Sequence, residues 1–195
     1  MSSESVPMTL VARGPAEARS LGERIYYVID LAFRRPPHPR VEPRASFLEG
    51  WERHLSRADF LLLTIERPGN GAIEGFLYGY RGTPGTWWYD RVCTHLSPEV
   101  RSRWFSEAFE VVAMAVVPEA GGRGYGTQML RGLAARVPNL TLVLTTYRDE
   151  NPAVRLYVRE GFEILHPGLA LSAGTPPMLV MGKPPVAGPV PRAPG

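Results

Sequence analysis

The sequence predicts an α/β protein of the α+β type, with a mixed sheet of about six to seven strands and about four to five flanking helices. Three observations indicate this class. Short apolar runs alternate along the chain with amphipathic stretches of helical period. An apolar run at 111–117 is followed by Pro118, a glycine cluster and an amphipathic stretch, which is the order strand, turn, helix. Two predicted helices precede a hairpin with an Asn70-Gly71 turn.

The first half of the chain predicts a strand, two helices and this hairpin. Each helix presents apolar residues on one face at spacings of three and four. Gly75 and Gly79, inside the second hairpin strand, indicate a bulge or a close approach of two backbones. The predicted elements are strand 8–11, helix 15–34, helix 43–57, strand 59–66 and strand 72–81.

Residues 82–106 form a long connection in which only one helix start is evident. Ser97 is a suitable N-cap and Pro98 a suitable first helical residue. Three consecutive aromatic residues, Trp87 to Tyr89, are expected to be partly exposed. They either form a wall of an acceptor site, or they cover the core or make an oligomer contact, which would suit a homodimer.

The second half of the chain predicts three more strands and two helices around the glycine cluster. The helix after the cluster has Met129, Leu130 and Leu133 on its apolar face. The loop between the last two strands is rich in Gly and Pro. The remaining predicted elements are strand 140–146, helix 151–160, strand 162–166 and strand 178–183.

Length and composition are those of one folded domain. The chain has 195 residues, of which 44% are hydrophobic and 21% charged. The apolar runs are shorter than the ~18 residues that a membrane helix needs. The N-terminus lacks the basic and then apolar order of a signal peptide. We therefore expect a cytoplasmic protein with a flexible N-terminus at 1–7, one domain at 8–183 and a disordered Pro-rich tail at 184–195.

Charge and cysteine content argue against nucleic-acid and metal sites. The net charge is +3, and every basic residue except Lys183 is an arginine, scattered among carboxylates. This distribution is not the basic stripe of a nucleic-acid-binding surface. A single cysteine, Cys93, and four scattered histidines predict neither a disulfide nor a metal cluster.

The glycine cluster has the composition of an anion site. The first backbone N–H groups of a helix lack partners within the helix, and the helix dipole adds partial positive charge there. Gly122, Gly124 and Gly126 would let a phosphate approach the backbone. A P-loop would need a lysine where Thr127 stands, and a dinucleotide fingerprint would need a third glycine at the same position. Both of these motifs therefore fail.

Two segments in the right order resemble the GCN5-related N-acetyltransferases, the GNAT superfamily. The first is the strand end Val116-Val117-Pro118 followed by Gly121-Gly122-Arg123-Gly124-Tyr125-Gly126, similar to the family's Gln/Arg-x-x-Gly-x-Gly/Ala segment. Gly121 departs from the Gln/Arg position. The second is Asn151-Pro-Ala-Val-Arg-Leu-Tyr157, continuing to Gly161-Phe162. Only Val154, in a small-residue position, departs from the family's pattern there.

The resemblance implies an acetyl-CoA site and a sheet that is splayed between strands four and five. The backbone of Val116 and Val117 would bind the pantetheine arm, and an N–H near Val116 would polarise the thioester carbonyl. The pyrophosphate would lie on the segment from Arg123 through Gly124, Tyr125 and Gly126 to Thr127. Asn151 would cap its helix and contact the cofactor. No metal is implied.

Two residues are candidates for proton transfer. The resemblance places Tyr157 where the family's tyrosine protonates the departing thiolate, and an ordinary Tyr pKa of ~10 suits that role. Glu110 is the one charge on an apolar strand, so that desolvation should make it a better base. Its position is about two residues from the family's commonest one. The base is Glu110, water, or Asp90 or Glu49 from the acceptor side.

The resemblance thus predicts transfer of an acetyl group from acetyl-CoA to the primary amine of a small molecule or peptide. Asp30, Glu49, Asp90 or Glu110 could attract the ammonium, and Trp88, Tyr78 or Tyr80 could stack on it. Two alternatives remain. One is a catalytically silent GNAT module that binds acyl-CoA as a sensor or partner subunit, and the other is a nucleotide-binding enzyme of another fold. Neither nucleic acid nor membrane is a predicted partner.

Overall fold

The computed structural model describes residues 7–34, 42–148 and 152–186. Seven strands form one mixed sheet in the order β1-β2-β3-β4-β5-β7-β6. The pair β4 and β5 is parallel, and the pairs β1–β2, β2–β3, β5–β7 and β6–β7 are antiparallel. The strands are β1 (Thr9–Arg13), β2 (Leu61–Glu66), β3 (Ile73–Arg81), β4 (Ala108–Val116), β5 (Thr141–Tyr147), β6 (Glu163–Leu169) and β7 (Met178–Lys183). The predicted mixed α/β fold is confirmed.

The helices flank this sheet and are more numerous than predicted. The predicted helix 15–34 consists of a short helix, a 3-10 turn at Arg19–Leu21 and a longer helix. A helix over Trp87–Cys93 was not predicted. The helices are α1 (Pro15–Ala18), α2 (Gly22–Phe33), α3 (Arg44–Leu55), α4 (Trp87–Cys93), α5 (Pro98–Phe105), α6 (Tyr125–Arg136) and α7 (Pro152–Arg159).

The chain divides into two compact units. The first contains the described residues up to Arg81 and the segment Val111–Gly132. Its core lies between one face of the sheet and helices α2 and α3, because every second residue of β3 packs there. Those β3 residues are Phe76, Tyr78 and Tyr80.

The hairpin of this unit has the predicted turn. Gly69 and Gly71 have φ of 90° and 64°, values that favour glycine. The side-chain oxygen of Asn70 accepts the N–H of Ala72 at 3.0 Å. The register between β2 and β3 shifts at Ile65/Glu66, so the predicted irregularity near Gly75 is present.

The second unit comprises Gly82–Glu110 and the described residues from Leu133 onward. The aromatic segment belongs to its core: Trp88 and Tyr89 pack on the core cluster, and the Tyr89 hydroxyl donates to the Phe105 carbonyl at 2.9 Å. The Trp88 ring N–H donates to Thr145 Oγ1 at 3.2 Å. Only Trp87 of the three is largely exposed, at 64%. For Trp88 and Tyr89 the structure therefore favours the core-covering interpretation.

Strand β4 begins at Ala108 and includes Glu110, as the sequence predicted. One strand boundary in the second unit differs from the prediction. Strand β6 continues through Pro167 to Leu169, where a loop was predicted. Because β6 is the last strand of the sheet, the missing N–H of Pro167 removes no bond from a central ladder.

Parts of the predicted termini lie outside the described residues, namely 1–6 and 187–195. The described residues of the proposed tail, Pro184 to Val186, are exposed and have no regular structure. The prediction of one domain over 8–183 stays a prediction.

Candidate functional site

The loop between β4 and α6 has a backbone that only glycine adopts easily at two positions. Strand β4 ends at Val116, a 3-10 turn covers Pro118–Ala120, and helix α6 begins at Tyr125. Gly122 and Gly124 have φ of 74° and 80°. A Cβ at either glycine would meet no atom within 4 Å, so space does not explain the glycines. The backbone conformation does.

Exposure and charge make this loop accessible to an anion. Residues 121–124 are exposed, and Tyr125, Gly126 and Thr127 in the first turn of α6 are half-buried. The Arg123 guanidinium donates to the Glu119 carbonyl at 3.2 Å. Among the described residues no carboxylate pairs with Arg123. The loop therefore combines a helix N-terminus with an arginine whose charge is not balanced by a carboxylate of the described residues.

The departure at Gly121 has a steric reason. Its N–H donates to the Pro118 carbonyl at 3.1 Å, and a Cβ built on Gly121 would lie only 3.1 Å from that same oxygen. A side chain at this position would therefore require the Pro118 carbonyl to shift by a few tenths of an ångström. Glycine at position 121 avoids this shift.

The two valines that were assigned to pantetheine, Val116 and Val117, differ in the direction of their backbone N–H groups. The Val117 N–H donates to the Glu74 carbonyl of β3 at 2.8 Å, and the Val117 carbonyl accepts from Ala120 N–H at 2.9 Å. Both backbone groups of Val117 are thus bonded within the protein. Successive residues of a strand direct their N–H groups to opposite sides, so that of Val116 points away from β3.

Val116 packs closely against Gly75 of β3. A Cβ on Gly75 would lie 3.1 Å from Val116 Cγ2 and 3.2 Å from the Ala115 carbonyl. It would also approach the Met129 methyl of α6 to 3.5 Å. Gly75 predicted a close approach of two backbones. In the structure, β3 packs closely at Gly75 against β4 and α6, the elements before and after the glycine loop.

Glu110 lies in the second unit and is buried. It is 4% exposed and stands opposite Val143 in the parallel ladder of β4 and β5. Its neighbours Phe109 and Val111 are also buried. Its role as the base stays a prediction.

Tyr157 on α7 is more buried than its predicted role assumed. It is 7% exposed, and its ring centroid lies 5.4 Å from that of Phe162. Burial raises the pKa of its hydroxyl well above the usual value. The assumption of an ordinary pKa is therefore wrong, and Tyr157 holds its proton more tightly than a free tyrosine. Asn151, the other candidate of this segment, lies outside the described residues.

The residues proposed for the acceptor side have separate structural partners. Asp30 pairs with Arg34 one helical turn away. The Asp90 carboxylate accepts the Gly85 N–H at 3.0 Å and so fixes the start of α4. Glu49 is exposed on α3. The structure gives none of these carboxylates a position that marks it as the base.

Tyr78 and Tyr80 are buried beside a histidine that the sequence did not single out. His54 Nδ1 lies 3.2 Å from the Tyr78 hydroxyl, and its ring packs on Tyr80 with centroids 5.2 Å apart. Burial, with smaller contributions from Arg57 and Arg53, lowers the pKa of His54 to about 4. His54 is therefore neutral at pH 7. Only the fold brings it to the two tyrosines, so no local pattern could have identified the cluster.

The described residues contain neither a metal-ligating cluster nor a membrane-spanning helix. Within 7–34, 42–148 and 152–186, the structure contains no group of three or more metal-ligating side chains. None of the helices in those ranges is long and apolar enough to cross a membrane.

Comparisons with known proteins agree with the fold and with the two motifs. Residues 70–164 match the family model of the acetyltransferase (GNAT) domain. A GCN5-like protein acetyltransferase of Mycobacterium tuberculosis is 30% identical over 122 residues. That match covers 58% of this chain and 59% of the relative. Residues 70–164 are therefore similar to a GNAT domain, and the resemblance to the GNAT superfamily that the sequence indicated is confirmed.

Solved structures with low sequence identity share the fold. The ribosomal-protein-S18-alanine N-acetyltransferase of Escherichia coli has a TM-score of 0.61 at 14% identity, over 96% of this chain and 99% of that one. A phosphinothricin acetyltransferase of Sinorhizobium meliloti, solved in complex with acetyl-CoA, has a TM-score of 0.56 at 17% identity. The match covers 91% of this chain and 88% of the Sinorhizobium meliloti chain.

Proposed function

We propose that this protein is an acetyl-CoA-dependent N-acyltransferase that acetylates the primary amine of a small molecule or peptide. The observation that carries the proposal is the loop at 121–127. Two of its glycines have positive φ, it opens a helix, and Arg123 has no carboxylate partner among the described residues. These features suit a pyrophosphate. The Sinorhizobium meliloti structure with acetyl-CoA supports the choice of cofactor.

Acetyl-CoA, when bound, supplies a thioester whose C–S bond breaks as the amine nitrogen forms a C–N bond with the carbonyl carbon. The chain supplies binding and orientation. The backbone N–H groups from Arg123 to Thr127 would hold the phosphates, and the arginine would balance part of their charge. We assign the pantetheine contact to Val116 alone, because the backbone groups of Val117 are bonded to Glu74 and Ala120.

Proton transfer is the part of the proposal that depends on buried groups. A neutral amine is needed for attack, so a base must accept a proton from the ammonium. We assign this role to Glu110, which is buried on β4 and would reach the amine directly or through one water molecule. Tyr157 is assigned the return of a proton to the leaving sulfur. Its raised pKa keeps the hydroxyl protonated at neutral pH and makes it a weaker proton donor than a free tyrosine.

A second function is favoured by a specific observation. Tyr157 and Glu110 are both buried, and Gly121 replaces the family's polar residue. A GNAT domain with these features could bind acyl-CoA without turnover and act as a sensor or partner subunit.

Turnover separates the two functions. Purified protein is incubated with acetyl-CoA and a panel of amines, amino acids and peptide N-termini, and the release of free thiol is followed. Amine-dependent release supports the transferase. If the protein binds acetyl-CoA and no amine of a broad panel accelerates release above that of the Tyr157→Phe variant, the binding module is supported.

A further inference from the structure

The last turn of α3 contacts β3 through a histidine. His54 precedes the final helical residue, Leu55, and its ring is half-buried. The centroid of this ring lies 5.8 Å from that of Tyr78 and 5.2 Å from that of Tyr80, and its Nδ1 lies 3.2 Å from the Tyr78 hydroxyl. Alternate residues of a strand share one face, so a single ring on α3 reaches both tyrosines. His54 is therefore a polar contact between the helix and the sheet.

The surroundings of this contact are aromatic and buried. Trp51 of α3 meets the Tyr78 ring edge-on, with centroids 5.0 Å apart, and the Phe60 ring centroid lies 6.0 Å from that of Tyr78. Trp51, Phe60 and Tyr78 are each at most 5% exposed. Aromatic rings replace only a small part of the hydration that a charged imidazole loses on burial. The site therefore favours the neutral form of His54.

The charged groups around His54 also oppose a positive charge. Arg57 and Arg53 of the same helix both lower its pKa, and the Arg57 guanidinium lies 5.9 Å from the Tyr80 ring centroid. From β3, His54 faces two tyrosine hydroxyls, which carry no charge in acid. A proton on His54 would therefore place a third positive charge beside two arginines. Two carboxylates close in sequence have other partners, namely Glu52 with Arg19 and Asp59 with Arg81.

Protonation changes what the His54 ring can do. The Nδ1 of a neutral imidazole can accept a hydrogen bond from the Tyr78 hydroxyl, whereas a protonated ring only donates. Burial, Arg57 and Arg53 lower the pKa of His54 to about 4, against ~6.5 for histidine in an unfolded chain. Between these values the unfolded chain binds more protons than the folded one. The stabilisation by His54 is therefore complete above about pH 6.5 and is lost as the pH falls towards about 4.

We propose that His54 is an acid-sensitive latch, whose neutral ring holds the last turn of α3 on β3 and whose protonation releases that turn. The release is local, because the helix ends one residue later and the bond from Arg57 N–H to the His54 carbonyl, at 3.0 Å, lies at its exposed end. Water then hydrates the charged imidazole, which the aromatic cluster does poorly. This latch requires neither acetyl-CoA nor transfer, so it goes beyond the proposed function.

Two measurements without acetyl-CoA test the latch, and their failure leaves the acetyl-CoA experiments untouched. In the full chain, the imidazole signals of His54 are followed by NMR as the pH is lowered, and they are assigned with the His54→Gln variant. We expect a midpoint at least about one pH unit below the ~6.5 of an unfolded histidine. Hydrogen exchange of amides 51–57, corrected for the intrinsic effect of pH, should rise about tenfold or more between about pH 7 and about pH 4.5.

Variants assign the effect to the charge of His54. In His54→Gln, whose side chain stays uncharged, exchange of amides 51–57 should change less than about threefold between the two pH values. His54→Phe, which keeps an aromatic ring, should behave in the same way. His95→Gln is the matched control, because His95 is an exposed histidine of the second unit, and this variant should keep the full rise of about tenfold or more.

Three results would overturn the proposal. A His54 midpoint above about pH 5.5 would show that the folded protein tolerates the charged ring. An equal rise of exchange in His54→Gln or His54→Phe would assign the acid response to another group. An equal rise in helix α6 would mean that acid unfolds the whole unit and does not release the turn by itself. If neither His54 variant folds, the NMR midpoint and the comparison with α6 decide the question.

Discussion

The glycine loop of the first unit and the two candidate proton-transfer residues of the second unit differ in what determines them. The loop is exposed, and its character comes from the backbone: two glycines with positive φ, a tight turn and a helix start. Glu110 and Tyr157 are buried, and their character comes from surroundings that distant parts of the chain supply. Binding of an anion can thus be argued from local geometry, whereas proton transfer has to be measured.

The largest expected effect is on the loop. Gly124→Glu should reduce acetyl-CoA affinity at least about a hundredfold, because it adds a negative charge and strains a backbone with φ of 80°. Calorimetric titration measures the loss. Gly174→Glu is the control, since Gly174 has φ of 79° and similar open space outside the loop. Equal affinities of the two variants would remove the phosphate assignment.

Tyr157→Phe should give the next largest effect, on turnover. We expect kcat to fall about a hundredfold, with KM for acetyl-CoA changed less than about threefold, because the hydroxyl acts on the leaving group. Tyr147→Phe, at a half-buried tyrosine of β5, is the control. Full turnover by Tyr157→Phe would make Tyr157 a packing residue against Phe162.

The raised pKa of Tyr157 gives this prediction a pH test. Since the folded protein holds the proton more tightly than the unfolded chain, the contribution of Tyr157 to stability is complete below the ordinary pKa of ~10 and is lost as the pH rises beyond it. We therefore expect no loss of kcat from ionisation of Tyr157 below about pH 10. If kcat of the unmodified protein fell as the pH rose near neutrality, and Tyr157→Phe abolished that fall, the raised pKa of Tyr157 would be contradicted.

Glu110→Gln should lower kcat about tenfold, mostly at low pH, where removal of the proton from the ammonium limits the rate. Glu107→Gln, an exposed carboxylate just before β4, is the control. Rates are compared across a pH series. If kcat of Glu110→Gln depended on pH in the same way as kcat of the unmodified protein, the base would be water or another residue.

The smallest effect is expected where β3 supports Val116. Gly75→Ala places a methyl 3.1 Å from Val116 Cγ2 and should raise KM for acetyl-CoA about threefold and destabilise the protein by about 1–2 kcal/mol. Gly14→Ala, with no atom within 4 Å of the new methyl, is the control. An unchanged KM would show that Val116 does not need this support.

Local signals in the sequence predicted most elements and the position of the loop. Pro118 and the glycines that follow it indicated strand, turn and helix, and Asn70-Gly71 indicated the hairpin turn. Helix α4 was missed because Trp87 to Tyr89 have the composition of a strand or a loop. The start of α4 is fixed by a hydrogen bond from the Gly85 N–H to the Asp90 carboxylate, and a hydrophobic pattern does not predict this bond.

The groups that could not be predicted depend on contacts between distant segments. Tyr157 occupies its motif position, yet its pKa depends on burial beside Phe162 and the surrounding core. The contact of His54 with Tyr78 joins two elements, and the two residues lie 24 positions apart in the sequence. A hydrophobic pattern predicts that Tyr78 lies on a buried strand, but not that a histidine of α3 reaches its hydroxyl.

The central claim is that the loop at 121–127 binds the pyrophosphate of acetyl-CoA. The most direct test compares the calorimetric affinities of the unmodified protein for acetyl-CoA and for S-acetylpantetheine, which has the thioester arm without the pyrophosphate, with NADH and ATP as controls. We predict that acetyl-CoA binds at least about a hundredfold more tightly than S-acetylpantetheine, because charge-assisted bonds at the loop are lost. Equal affinities, or tighter binding of NADH or ATP than of acetyl-CoA, would contradict the account.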